Sequence, residues 1–116
     1  MLRFLIFFLV LPFASLAAEF AVLKDDVILS REEVTAVTQR HLLSFYEGGQ
    51  SRYSSGGAYS YTYDGGATAF GTYQVDADGV VCITFRNGRS RCDRFVHSHG
   101  RLVMVTEAGD RFAIRP

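Results

Sequence analysis

Short turns rich in glycine divide residues 58–115 into brief runs of strand-forming residues, and this spacing leaves few folds open. The runs are rich in Tyr, Val, Thr and Phe, which favour strands. Links this short join antiparallel neighbours and leave no room for the crossover helix of a parallel pair. The turns are Asp64-Gly65-Gly66, Asp76-Ala77-Asp78-Gly79, Arg86-Asn87-Gly88, Ser98-His99-Gly100 and Glu107-Ala108-Gly109-Asp110.

The pattern predicts an antiparallel meander of about six strands, either flat or curled into a small barrel. The strands are expected at 59–63, 67–75, 80–85, 89–97, 102–106 and 111–114. In the last of them Phe112 and Ile114 alternate with polar residues and should face the core. Residues 18–29 read as an extended lead-in, and the Gly/Ser/Tyr-rich stretch 47–60 reads as a loop.

One helix is predicted ahead of the meander. Ser30 and Glu33 form the sequence signature of a capping box, in which each side chain bonds the other residue's backbone N–H. Residues then recur at helical spacing, namely Val34, Val37, His41 and Phe45, and Gly48-Gly49 follows as an end signal. We expect a helix over 31–45, packed against one face or end of the sheet, with His41 at the core edge. The fold class is α+β, mostly β.

The N-terminus has the pattern of a secretory signal peptide. Arg3 precedes an apolar run over residues 4–11, and the small residues Ser15 and Ala17 fit the positions before a cleavage site. The run is short for a membrane anchor, which needs about 20 residues. We expect residues 1–17 to be removed, with cleavage after Ala18 as the alternative. Residues 18–116 should form a single small β-rich domain that is periplasmic or secreted, with no stable membrane anchor.

Two cysteines, Cys82 and Cys92, remain after export, and an even number in a small exported chain indicates a disulfide. A two-residue loop Asn87-Gly88 would place the sulfurs on opposite faces of the hairpin. A three-residue loop, with Gly88 in the left-handed conformation, places Cys82 opposite Cys92 at a non-hydrogen-bonded pair, where Cα atoms approach to ~4.5 Å. We therefore predict a structural bridge and the longer loop. No Cys-x-x-Cys motif suggests redox activity.

Charge balance argues against a general binder of nucleic acids or of anionic membranes. Removal of residues 1–17 takes away Arg3, so that 11 basic residues face 12 acidic ones and the net charge is −1. The distribution is uneven, because residues 86–101 hold five arginines against the single acid Asp93. This segment is expected to be a solvated strand face or a basic surface.

One set of residues is a candidate ligand or partner surface. Tyr59, Tyr61 and Tyr63 alternate with hydroxyl residues and share one strand face. That face is either half-buried core or an aromatic wall of a pocket, to which Arg89 and Arg91 can add charge. The hairpin register predicts that both arginines lie on the face opposite the disulfide, beside Ile83 and Phe85.

Metal or enzyme chemistry has weaker sequence support. His97 and His99 have the spacing of a strand-borne ligand pair, but a site needs further ligands, and Asp93 and His41 are the candidates. No nucleophile, phosphate-loop or zinc-protease motif is present in the sequence. We therefore assign no catalytic residue and no cofactor.

From Leu42 onward the chain resembles small exported proteins of alphaproteobacteria, which carry domains of unknown function with a lipocalin-like or meander fold. Such families usually carry Trp where this chain has Tyr73. The resemblance implies a periplasmic β-domain and supplies no catalytic residues. It is carried by His41-Leu42-Leu43, Gly57-Ala58-Tyr59-Ser60-Tyr61-Thr62-Tyr63-Asp64-Gly65, Gly71-Thr72-Tyr73-Gln74-Val75, Asp78-Gly79-Val80-Val81-Cys82, Cys92 and Gly109-Asp110-Arg111-Phe112.

Two classes of function follow from the sequence. The first is a non-enzymatic binding or interaction module whose partner is a small ligand or an envelope protein, as in an inhibitor or an envelope accessory. The second is a small metal-binding protein or enzyme that uses His97 and His99. The missing catalytic motifs favour the first class.

Overall fold

The computed structural model describes residues 20–116, and the signal peptide and its cleavage site lie outside them. These residues form nine strands and one helix. No helix in this range is long and apolar enough to cross a membrane. The elements are β1 (Asp26–Ile28), α1 (Arg31–Thr38), β2 (Leu42–Ser44), β3 (Gln50–Tyr53), β4 (Ala58–Thr62), β5 (Thr68–Val75), β6 (Val81–Phe85), β7 (Ser90–Ser98), β8 (Arg101–Thr106) and β9 (Arg111–Ala113).

The antiparallel meander is confirmed. Strands β2 to β9 lie side by side in chain order, and every neighbouring pair is antiparallel. The six predicted strands correspond to β4 through β9, with ends that differ by at most one residue. The predicted number of six is wrong, because β1, β2 and β3 also join the sheet.

The N-terminal half of the predicted helix is confirmed and its C-terminal half is wrong. Ser30 Oγ accepts from the Glu33 N–H at 3.2 Å, and Glu33 Oε1 accepts from the Ser30 N–H at 3.0 Å, so the capping box forms. The helix ends at Thr38. His41 then has φ of 66°, and the chain continues as β2.

In place of the C-terminal half of the predicted helix, the chain forms a hairpin between β2 and β3. Leu43 and Phe45 fit a strand period as well as a helical one, and both are buried. Leu43 pairs with Ser51, which lies in the stretch 47–60 expected to be a loop. That expectation is wrong as well, because Ser51 and Tyr53 alternate inward along β3 and the backbone is paired on both sides.

The disulfide hairpin is confirmed with the three-residue loop. The Phe85 N–H donates to the Arg89 carbonyl at 2.8 Å, and Gly88 has φ of 86°. Cys82 lies opposite Cys92 with Cα atoms 4.0 Å apart, and the sulfurs are bonded at 2.04 Å. A disulfide persists in oxidising compartments, so the bridge is consistent with export.

The sheet curls until its first and last meander strands meet. The Tyr46 N–H donates to the Ala113 carbonyl at 3.1 Å, and the Arg115 N–H donates to the Ser44 carbonyl at 2.7 Å, around a single bridge between Phe45 and Ile114. Helix α1 covers the inner face at one end. Its Val34 and Val37 join the main core, whose largest members are Phe45, Tyr53, Tyr59, Phe95 and Met104.

The described part of the lead-in segment is extended except for a turn at Lys24-Asp25, and it packs on the outer face of the sheet. Phe20 and Val22 cover a small second cluster formed by Val96, Val103 and Val105. Strand β1 then pairs with the end of β7, beyond the part of β7 that pairs with β6.

An ion pair fastens β1 on this outer side. Arg111 on β9 donates to both carboxylate oxygens of Asp26, at 2.8 and 3.0 Å. These hydrogen bonds lower the pKa of Asp26 to about 2. The segment before α1 is therefore tied to both β7 and β9.

Candidate functional site

Tyr59 and Tyr61 of β4, and Tyr63 directly after this strand, lead from the core to the surface. Tyr59 is 2% exposed, Tyr61 is half-buried and Tyr63 is 56% exposed. Tyr61 packs edge-on against Tyr63, with ring centroids 4.9 Å apart. All three lie on the inner face, as the alternation predicts, so the strand carries a graded aromatic wall.

Arg91 on β7 lies against this wall. It is paired with Ile83 across the hairpin and lies on the face opposite the disulfide, as the register predicts. The guanidinium carbon is 5.7 Å from the centre of the Tyr61 ring and 5.8 Å from that of Phe85. Each contact is a cation–π interaction worth about 0.5–1 kcal/mol at a partly exposed site.

The buried Asp93 carboxylate holds the Arg91 guanidinium from the core side. Arg91 Nε donates to both carboxylate oxygens, at 2.9 and 3.2 Å, and Nη2 donates to Oδ2 at 3.0 Å. Nη2 also donates to the Tyr59 hydroxyl at 2.9 Å. The Asp93 side chain is fully buried, whereas that of Arg91 keeps 25% exposure. The cation is therefore anchored in the core and open on one side.

The network continues to β3, a strand that was not predicted from the sequence. The Tyr59 and Ser51 hydroxyls are 2.9 Å apart. The Tyr53 hydroxyl is buried nearby and has no hydrogen-bond partner among the residues that the structure describes. The Ser51/Tyr53 alternation was the available signal for this part of the site.

Burial dominates the electrostatics of the network. It raises the pKa of Asp93 to about 6, although the Arg91 charge acts in the opposite direction. It also raises the pKa values of Tyr53 and Tyr59. For Arg91, burial works against the charged form, but the Asp93 carboxylate and Tyr59 outweigh it and raise the pKa. Arg91 is therefore a permanent cation.

A pocket of about 320 Å³ opens beside the exposed side of Arg91. We call it the tyrosine–arginine pocket. Tyr61 and Tyr59 lie behind its wall, next to Arg91. Its lining includes Tyr63, Phe85, Asn87, Arg89, Ser90 and Arg91.

The five candidate surface residues named from the sequence therefore lie at one end of the sheet. Tyr63, Arg89 and Arg91 line the pocket, and Tyr59 and Tyr61 support Arg91. The Arg91 hydrogen bonds engage Nε and Nη2, and Nη1 has no partner within residues 20–116. The pocket thus presents a fixed cationic donor next to aromatic surface, which suits recognition of an anion attached to a planar group.

The two histidines are not brought together with further ligands. His97 is exposed on β7, and His99 is exposed in the β7–β8 turn with φ of 51°. They border different pockets. Within the described part of the chain, no three His, Cys, Asp or Glu side chains are arranged to hold a metal ion.

The two other candidate ligands have different surroundings. His41 lies exposed between α1 and β2, not on a helix as expected, and its Nδ1 is 2.9 Å from the Tyr53 carbonyl oxygen. The carboxylate of Asp93 is occupied by Arg91.

Comparison with known proteins gives no relative from which a function could be transferred. The chain matches no protein-family model, no curated protein and no solved structure.

Proposed function

We propose that the protein is a non-enzymatic binding module of the periplasm or the extracellular space. Its tyrosine–arginine pocket takes a small ligand, or a side chain of an envelope protein, that joins a carboxylate to a planar ring. The carboxylate lies against Arg91 and Arg89, and the ring lies against Tyr63 and Phe85.

The observation that carries the proposal is the way Arg91 is held. A buried ion pair is a weak source of stability, because desolvation offsets most of the Coulomb attraction. This pair nevertheless fixes a guanidinium between two rings and leaves one edge facing a pocket. A cation fixed in this way loses little side-chain freedom when a ligand binds, and such preorganisation favours affinity.

Pocket size and charge define the ligand class. A volume of about 320 Å³ is at the small end of the ~300–1,000 Å³ typical of ligand pockets, which suits a ligand of one or two rings. Of the described lining residues, Arg89 and Arg91 are charged and none is acidic. A carboxylate is therefore favoured over a cation.

The test compares phenylpropionate and indole-3-acetate with their uncharged primary amides, by calorimetry and NMR on the processed, oxidised protein. We expect the acids to bind at one site and the amides at least tenfold more weakly. The exposed substitutions Arg89→Gln and Tyr63→Ala should weaken acid binding about threefold or more, and Arg91→Gln at least tenfold. Arg52→Gln, an exposed arginine on β3, is the matched control. Equal affinity for acid and amide would contradict the proposal.

A further inference from the structure

A second pocket lies at the seam where the curled sheet comes together. Strands β2 and β9 are joined only around the Phe45–Ile114 bridge. Beside this bridge, between the last turn of α1 and the β7–β8 hairpin, the structure has a cavity of about 480 Å³. We call it the seam pocket. It shares no lining residue with the tyrosine–arginine pocket.

The floor of the seam pocket is apolar and continuous with the interior. Val37 of α1 is 8% exposed and Ile114 is 4% exposed, and both belong to the main core. Leu102 of β8 is half-buried and packs against the same core. An apolar group in this pocket would therefore remove both its own surface and the exposed edge of the core from water.

The rim of the seam pocket is basic. Arg40, Arg101, Arg115 and His97 line it, all four are exposed, and of the described lining residues none is acidic. Arg40 Nη2 donates to the Arg115 carbonyl at 3.3 Å, and the Arg115 guanidinium lies 4.8 Å from the centre of the Tyr46 ring. These contacts hold two of the cations at the rim. In a chain with almost no net charge, three arginines around one apolar opening are a local concentration of charge.

We infer that the seam pocket binds a free single-chain amphiphile with an anionic head group, such as a medium-chain fatty acid. The alkyl chain lies on Val37, Leu102 and Ile114, and the carboxylate meets Arg101 and Arg115 at the rim. The inference does not depend on the function proposed for the tyrosine–arginine pocket. Charge complementarity selects this occupant, because a neutral lipid would leave the arginines unused and a small anion would leave the floor uncovered.

The experiment is displacement of a fluorescent fatty acid, 11-(dansylamino)undecanoic acid, from the processed protein with its disulfide intact. We expect one site per chain. Hexanoate, octanoate and decanoate should compete with affinities that rise about fourfold for each methylene buried, the factor that corresponds to apolar burial. Decanol should compete at least tenfold more weakly than decanoate, and acetate should not compete.

Variants separate this site from non-specific adsorption. Arg101→Glu, on the exposed rim, should weaken decanoate binding at least tenfold. Arg52→Glu, at an exposed position on the outer face of β3, should change decanoate binding less than twofold. Circular dichroism checks that both variants are folded. Bound decanoate should shift the NMR signals of Val37, Leu102 and Ile114 and leave those of Tyr63 and Phe85 unchanged.

Four outcomes would overturn the inference. Decanol could compete as well as decanoate, or Arg101→Glu could bind decanoate as tightly as the wild type does. Several decanoate molecules could bind per chain, and only near the micelle concentration. Finally, the protein could co-sediment with anionic phospholipid vesicles without binding the free acid. The last result would indicate a membrane-surface role for the same basic rim.

Discussion

Loss of the Cys82–Cys92 bridge should lower stability by an amount that the hairpin geometry sets. The two residues are ten positions apart, so the bond closes an eleven-residue ring. The loop-entropy relation gives about 2.8 kcal/mol for that ring. Both side chains are only partly buried on the outer face, so replacement by alanine removes little packing. In a domain of this size the loss corresponds to a fall in Tm of roughly 10–20 °C.

The measurement is urea unfolding of the oxidised wild type and of the double variant Cys82→Ala/Cys92→Ala. Because the bridge acts mainly on the unfolded chain, the variant should show a larger dependence of unfolding free energy on urea concentration as well as a lower stability. A difference in unfolding free energy below about 1 kcal/mol would show that the entropic reasoning is wrong for this hairpin.

The same variant also probes the site. The disulfide pair is next to the Ile83–Arg91 pair along the ladder, but the hydrogen bonds of Arg91 go to Asp93 and Tyr59. We expect the affinity of the folded variant for an aromatic carboxylate to change less than threefold. A complete loss of binding would mean that the bridge positions the guanidinium.

Three further predictions concern the hairpin loop, the buried carboxylate and the two histidines. Gly88→Val should destabilise the protein by about 1–2 kcal/mol, measured by thermal unfolding, because φ is 86° there; Gly65→Val, at a turn position without positive φ, is the control. The pKa of Asp93 rises from 3.8 to about 6 on folding, so the folded state binds more protons between these values. Stability should therefore fall by about 2 kcal/mol as pH rises from about 4 to 6, and Asp93→Asn should lack this slope in pH-dependent urea unfolding. The double variant His97→Ala/His99→Ala should bind aromatic carboxylates as the wild type does; a stoichiometric metal in the wild type, lost from the variant, would support the metal-binding alternative.

Local sequence signals were sufficient to predict the strands and the hairpin register in the second half of the chain. At the β6–β7 hairpin, Gly88 marks the loop and the parity of Cys82 and Cys92 selects its length. Both signals act within eleven residues, so no distant contact was needed to choose between the two registers. The position of Arg91 on the face opposite the disulfide followed from the same parity.

The first half of the meander depends on contacts that a local pattern does not contain. Val34, Val37 and Phe45 match a helical period, but Phe45 also alternates with Leu43. Beyond residue 41 the chain forms strand β2 instead of continuing the helix, because β3 supplies a hydrogen-bonding partner. Recognising β3 required a strand within a stretch rich in glycine and serine, where strand propensity is low.

Part of the candidate site could be predicted from the sequence, because alternation along a strand is a local pattern. Tyr59, Tyr61 and Tyr63 share a face by alternation, and so do Arg91 and Asp93. That Asp93 fixes Arg91 instead of serving a metal depends on how deeply that face is buried. The curl of the whole sheet sets this depth, and no single strand reveals it.

The pairing of β1 with β7 places a constraint on the order of folding. Asp26 meets Ser98 and Ile28 meets Val96, so the first strand that the structure describes pairs with one that follows about 70 residues later. Closing a loop of that length costs entropy before any contact is gained, and such non-local pairing slows folding. A chain that crosses a membrane with its N-terminus first would present Leu29, which is 3% exposed in the fold, without its native surroundings until β7 has also crossed. Folding of the domain would then be completed after translocation.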